Sequence, residues 1–213
     1  MNIATIAAFW TVSILFVLTP GADWAYAMAA GIRHTNVGWA VAGLLAGHLT
    51  ATVMVTAGLA ALLAASPTAM TVLTVAGAVY LCWLGVTTLR HRHAVATAEM
   101  LAPTAGRQLF LKGLGVSLLN PKVFLLFLAL LPQFVTPGTG WPVPAQLLTL
   151  GALHVLNCAI IYAMVAFGAS AVLTARPRPA LAVTTLTGIV LIGFGGVLAV
   201  EQLAPHLSRI VVP

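Results

Sequence analysis

Apolar runs long enough to cross a bilayer follow one another through almost the whole of this chain, and that repetition leaves few folds open. A membrane core takes about 20 apolar residues of helix to cross, and the backbone groups inside it must be bonded without help from water. Runs of this kind cover Ile3–Ala30, Gly38–Leu63, Ala69–Leu89, Leu109–Phe134, Ala145–Leu173 and Leu181–Leu203. Of the 213 residues, 6% are charged and 61% hydrophobic, and the mean hydropathy is +1.08. A soluble domain carries about 25% charged residues, so too few polar side chains are present here to cover a water-facing surface. The expectation is an all-α integral membrane protein with about six transmembrane helices, one transmembrane domain over residues 1–213.

The net charge of +6 does not point to nucleic acid, because the basic residues form no patch or stripe. They fall between the apolar runs instead. With the N-terminus outside, Arg33, then Arg90, Arg92, Arg107 and Lys112, then Arg176 and Arg178 all face the cytoplasm. Only Arg209 lies outside, and Lys122 is placed within the membrane. That bias follows the positive-inside rule and sets an N-out, C-out orientation. Three helices followed by three more enter from opposite sides, which is the arithmetic of a 3+3 inverted repeat. Residues 3–90 form the first half, 91–108 a cytoplasmic loop and 109–203 the second half. The Ile3–Val17 run with Ala25-Tyr26-Ala27 after it resembles a signal peptide, but no Lys or Arg precedes it and the apolar character continues, so it reads as a retained first helix.

Two interruptions occupy matching places in the halves. Thr19-Pro20-Gly21-Ala22-Asp23 breaks helix 1, and Asn120-Pro121-Lys122 breaks helix 4. Each proline lacks an N–H, which is expected to free the carbonyls of Phe16 and Ser117. Such breaks persist at membrane depth only where they are buried in protein or line a wet cavity. Helix ends that start after a break favour a carboxylate, and freed carbonyls favour an ammonium. Asp23 and Lys122 each cost roughly 2.5–3.5 kcal/mol to place in a membrane on insertion scales, so they are functional candidates. Thr19, Pro20, Gly21, Asp23, Asn120, Pro121 and Lys122 are therefore the expected substrate-binding residues. The alternative is an Asp23–Lys122 pair that only fixes helix 1 against helix 4.

Other polar residues carry weaker signals. His48 and His154 lie inside helices and can act as a proton relay, or sit neutral against a backbone carbonyl. His91 and His93 stand beside Arg90 and Arg92 and read as solvated loop residues. Gly43-xxx-Gly47 lets helices approach closely, within one subunit or alternatively at a homodimer seam. Cys82 and Cys158 show no CxxC or Cys/His ligand spacing and read as packing residues, with no metal site or cofactor expected. The acids Asp23, Glu99 and Glu201 form no catalytic pair, and there is no GxSxG, HExxH or phosphate-cradling loop.

These motifs resemble a known family. Thr19-Pro20-Gly21-Ala22-Asp23 is similar to the TPGPD signature of the LysE/RhtB amino-acid exporters. Tyr80-Leu81-Cys82-Trp83-Leu84-Gly85 with Leu89-Arg90 resembles its YLxWLGxxxLR stretch. Asn120-Pro121-Lys122 followed by Phe127-Leu128-Ala129-Leu130-Leu131-Pro132-Gln133-Phe134-Val135 resembles its NPKxxxFFLAFLPQF segment. The resemblance implies a bacterial inner-membrane exporter of amino acids, of the homoserine/threonine efflux type, driven by protons and without a cofactor. Ala22 departs from the signature, which has a second proline there, and this suggests a shorter break. Asp23 is the one acid available inside the membrane, so a neutral amino acid is expected rather than a cationic one. A divalent-metal exporter of the wider superfamily would need clustered carboxylate, His or Cys ligands. A non-transporting scaffold subunit would leave Asp23 and Lys122 with purely structural work.

The charge distribution gives a direct test of topology. A reporter fused at Ala98 is expected to read as cytoplasmic and one at the C-terminus as periplasmic; the opposite result at either site rejects the six-helix arrangement.

Overall fold

The computed structural model describes residues 1–32, 36–65, 67–90, 105–136, 138, 140–168, 185–186, 188–190, 192–193, 195–197 and 199–200. Arg33, His91, His93, Glu99, Arg176, Arg178, Glu201 and Arg209 lie outside the described residues, as does most of the expected 91–108 loop. All regular structure among the described residues is helical: α1 (Ile3–Val17), α2 (Ala22–Ile32), α3 (Val37–Ala65), α4 (Pro67–Arg90), α5 (Gly106–Leu118), α6 (Pro121–Leu130), a 3-10 turn at Leu131–Phe134 and α7 (Val143–Phe167). A further helical stretch, α8, covers Gly188–Val197.

The expected helices 1 and 4 are both broken. α1 and α2 meet at 64°, and α5 meets α6 and the turn after it at 56°. Each bent pair reaches membrane-spanning length and hydropathy only as a pair, whereas α3 and α7 reach it alone. The order is thus a bent pair, a long helix and α4, then a bent pair, a long helix and α8. α5 begins at Gly106 rather than near Leu109, and α7 at Val143 rather than Ala145, because Ala105 and Pro142 already hold the extended backbone of an N-cap.

Large apolar side chains point outward along the long helices, among them Leu49, Val53 and Met54 on α3 and Leu156, Ile160, Met164 and Phe167 on α7. In water this arrangement would expose far more apolar surface than a monomer sustains; in lipid it is the solvated face. The buried residues form two apolar clusters. One gathers Phe9, Phe16, Ala51, Val55, Leu126, Phe127, Leu147 and Leu150. The other gathers Val17, Tyr26, Leu44, Leu109, Cys158, Ile161 and Tyr162. Along α3 and α7 the register passes from one cluster to the other at His48 and His154, so both histidines lie at the seam between them.

Gly43-xxx-Gly47 packs within the chain. A Cβ on Gly43 would collide with the backbone oxygen of Phe110, and one on Gly47 would lie 2.5 Å from Ser117 Cβ and 3.0 Å from Leu114 O. From the other side, a Cβ on Gly113 would lie 2.7 Å from Ala40 O. α3 and α5 therefore touch backbone to backbone, and dispersion contacts along this seam replace the hydrophobic drive that lipid removes. The packing sets His48 beside Ser117, which supports the site described next. Gly43→Leu is expected to destabilise the protein by at least about 1–3 kcal/mol, the scale of overpacking. Gly58→Ala, where nothing lies within 4 Å, is expected to leave it unchanged or slightly more stable. Thermal unfolding of the two purified variants in detergent measures the contrast.

Candidate functional site

The first break is built from its own freed backbone groups. Phe16 O accepts a hydrogen bond from Thr19 N at 3.1 Å, so it is not the open carbonyl that the proline position suggests. The open ones are displaced along the chain. Val17 O accepts from Trp24 Nε1 at 2.7 Å, and Thr19 O accepts from Lys122 Nζ at 3.2 Å. α2 then restarts at Ala22, with Asp23 in its first turn, where the helix dipole favours a carboxylate. Ala22 is the first helical residue, a position that proline occupies without losing a bond.

The second break has a different chemistry. Ser117 O is also occupied, by Asn120 N at 3.2 Å. Asn120 caps α6: its Oδ1 accepts from Lys122 N at 3.0 Å, with Pro121 at the first helical position. The same side chain turns its Nδ2 towards Asp23 Oδ2 at 3.4 Å. One amide therefore ends one break and contacts the other.

Asp23 is buried, and its two oxygens differ. Oδ2 accepts from Tyr162 OH at 3.2 Å and from Asn120 Nδ2, with His48 Nε2 at 3.8 Å. Oδ1 is buried and has no hydrogen-bond partner among the described residues. Lys122 forms no direct ion pair with Asp23 among the described residues, so the simple Asp–Lys clamp is not what is built. Its ammonium bonds to Thr19 O and lies 4.4 Å from the centroid of the Phe16 ring, a cation–π contact. Thr19, Gly21, Asp23, Asn120 and Lys122 share one cavity with Phe16, Trp24, His48, His154 and Tyr162. Pro20 lies in the first break and Pro121 begins α6 at the second. The volume of the cavity is about 10 Å³, the room that a single water needs.

His48 and His154 meet, with ring centroids 5.5 Å apart. His48 Nδ1 lies 3.0 Å from Leu44 O and 2.5 Å from Ser117 Oγ. An Nδ1–H donates to Leu44 O and leaves a lone pair on Nε2 towards Asp23, whereas a bare Nδ1 accepts from the Ser117 hydroxyl and turns an Nε2–H towards Asp23; both tautomers fit these contacts. His154 Nδ1 lies 2.8 Å from Ser13 Oγ, which also accepts from Asn157 Nδ2 at 3.0 Å. His154 Nε2 lies 3.5 Å from Cys158 Sγ.

Ser13, Ser117, Asn157, Cys158 and Tyr162 were not among the expected site residues. A signal for three of them is present in α7: Asn157, Cys158 and Tyr162 follow His154 at i+3, i+4 and i+8 and share its face. Set in an apolar helix, that polar stripe marks an inward face. The reading that no Cys/His ligand spacing exists is corrected by the same stripe, since His154 and Cys158 are one helical turn apart and the fold adds His48.

Three comparisons bear on this arrangement. A membrane protein of Pseudomonas aeruginosa with no assigned activity is 32% identical over 211 residues, covering 93% of this chain and 98% of the relative. A Salmonella typhi protein named for homoserine and homoserine lactone efflux is 37% identical over 152 residues, 70% of this chain and 72% of the relative. A leucine efflux protein of Klebsiella pneumoniae is 28% identical over 200 residues, 89% and 92% of the two chains. No solved structure matches this chain. The family model of LysE type translocators matches residues 14–202, spanning both helix breaks and the stripe on α7. This chain therefore belongs to the LysE translocator family, as a multi-pass protein of the bacterial inner membrane.

Proposed function

We propose that this protein is a secondary exporter of neutral amino acids, of the threonine or homoserine type, and that the two helix breaks form its substrate site. The observation that carries the reading is the buried, unpartnered Asp23 Oδ1 between the breaks. A zwitterion supplies what the site lacks: its α-ammonium for Asp23, and its carboxylate for Lys122 and the start of α6. Phe16, Val17, Trp24 and Val123 give the cavity apolar walls. Among the described residues Asp23 is the one carboxylate that lines it, which suits a neutral side chain. The relatives named for homoserine and leucine efflux carry the same substrate class.

A cavity of about 10 Å³ is far too small for an amino acid, so the described conformation is closed. Substrate entry then requires the breaks to part, which is the expected behaviour of discontinuous helices at a repeat interface. In this reading α1–α2, α3 and α4 form one three-helix half and α5–α6, α7 and α8 its inverted partner, N-out and C-out. Export is driven by the proton gradient, with His48 and His154 as the proton relay beside Asp23.

Asp23→Asn and Lys122→Met each remove a charge-assisted contact of about 1.5–3 kcal/mol, so each is expected to weaken apparent substrate affinity about ten- to a hundred-fold in efflux assays. Both variants are expected to express well, because a charge at membrane depth has been removed. The double variant is expected to be folded and inactive; a well-expressed double variant that exports normally rejects the site. Efflux is expected to collapse with an uncoupler, and persistence under uncoupler with loss on ATP depletion rejects secondary transport. His48→Ala is expected to flatten the pH dependence of export, and retention of that dependence removes His48 from the relay.

A further inference from the structure

The seam between the two apolar clusters holds a second arrangement, which adds Cys158 to the Asp23, His48 and His154 of the proposed substrate cavity. One ligating atom each from His48, His154 and Cys158 lies within 4.8 Å of the other two, and all three residues are buried. Both imidazoles have oxygen partners at Nδ1: His48 against Leu44 O and Ser117 Oγ, His154 against Ser13 Oγ. Metal-binding histidines are oriented in this way, with one nitrogen held by an outer oxygen and the other left for the ion. Ser13 Oγ has two lone pairs, so it can accept from Asn157 Nδ2 and from a His154 Nδ1–H together. His154 Nε2 then faces Cys158 Sγ at 3.5 Å.

His48 poses the sharper problem. In the tautomer that donates Nδ1–H to Leu44 O, which is the one that can ligate through Nε2, the Nε2 lone pair lies 3.8 Å from Asp23 Oδ2. Two acceptors facing each other across a buried gap are stabilised by a cation between them. The unpartnered Asp23 Oδ1 offers a further oxygen on the same side chain.

The geometry points to a binding site for a borderline-soft divalent cation of the zinc or cadmium class, held by His48, His154 and Cys158 with Asp23 as the fourth group. Two imidazole nitrogens, a thiolate and a carboxylate are a donor set that suits a tetrahedral ion. The charge balance is favourable as well. A divalent ion with one thiolate and one carboxylate is neutral overall, which lowers the cost of burying it. Binding forms a metal–sulfur bond and breaks the Cys158 S–H bond, and the proton leaves to water. The opposing charge is Lys122, which is engaged by Thr19 O and the Phe16 ring. The site draws residues from α2, α3 and α7, so an occupying ion ties these three helices together in the closed conformation.

The experiment uses the purified full-length protein in detergent, titrated with cobalt(II) and then with zinc as competitor. The expected result is a thiolate-to-cobalt charge-transfer band, saturating at one ion per chain and removed by zinc. Cys158→Ser is expected to abolish the band. Cys82→Ser is expected to keep it, because Cys82 lies on α4 away from the group. Ser13→Ala removes the outer partner of His154, together with the acceptor of Asn157 Nδ2, and is expected to weaken binding by about 10–100-fold while the band shape is kept. Absence of the band in the unaltered protein, its survival in Cys158→Ser or its loss in Cys82→Ser would overturn the proposal. Should Cys158→Ser fail to fold, judged by size-exclusion chromatography, the Cys82→Ser protein with Cys158 as its sole thiol still decides the matter. None of these readouts depends on transport.

Discussion

A helix broken inside a low-dielectric core leaves backbone groups that water cannot reach, and the rest of this structure follows from how they are bonded. Each break here is closed by side chains that then have a second task. Trp24 bonds Val17 O, Lys122 bonds Thr19 O, and Asn120 caps α6 while reaching Asp23. The groups that make the breaks tolerable are the groups that line the cavity. A soluble protein could leave such ends to solvent; here an unsatisfied group costs several kcal/mol, so structure and site cannot be separated.

The seam between α3 and α5 gives the site its rigidity. Gly43, Gly47 and Gly113 bring the two backbones together, and that approach holds Ser117 against His48. On the opposite side, α7 presents His154, Asn157, Cys158 and Tyr162 from one face, and Ser13 on α1 joins them. The polar groups are thus supplied by α1, α2, α3, α5, α6 and α7, and none of these helices could shift alone without leaving a buried donor or acceptor unpaired. This is the property expected of a two-state element, in which the cavity is closed or open with little in between.

Acceptors and one ammonium meet at the centre of the molecule. Asp23, His48 and Lys122 line the cavity, Cys158 lies beside His48 and His154, and the Lys122 ammonium bonds Thr19 O over the Phe16 ring. An ammonium, a proton and a soft metal ion all answer that arrangement. They differ in size and in ligand preference, and the small volume of the closed cavity favours the smaller ones.

Much was determined by the sequence alone. The length and hydropathy of the runs required helices in a membrane, because no other local structure satisfies the backbone there. Pro20 and Pro121 required breaks, and an Asp and a Lys beside them marked both as candidates for a site. The sequence motifs also indicated the family. What it left undetermined was decided by contacts between residues far apart in the chain. The open carbonyls are Val17 O and Thr19 O rather than Phe16 O, because one tight turn at each break rebonds the nearest groups. The Asp23–Lys122 clamp gives way to separate partners, since Tyr162 and Asn120 reach the carboxylate from α7 and the second break. His48, His154 and Cys158 form a group only because α3 and α7 pack at one register. Local pattern dictates where a helix runs and where it must stop; which polar groups then meet depends on the packing of helices against one another, and only the tertiary structure contains that.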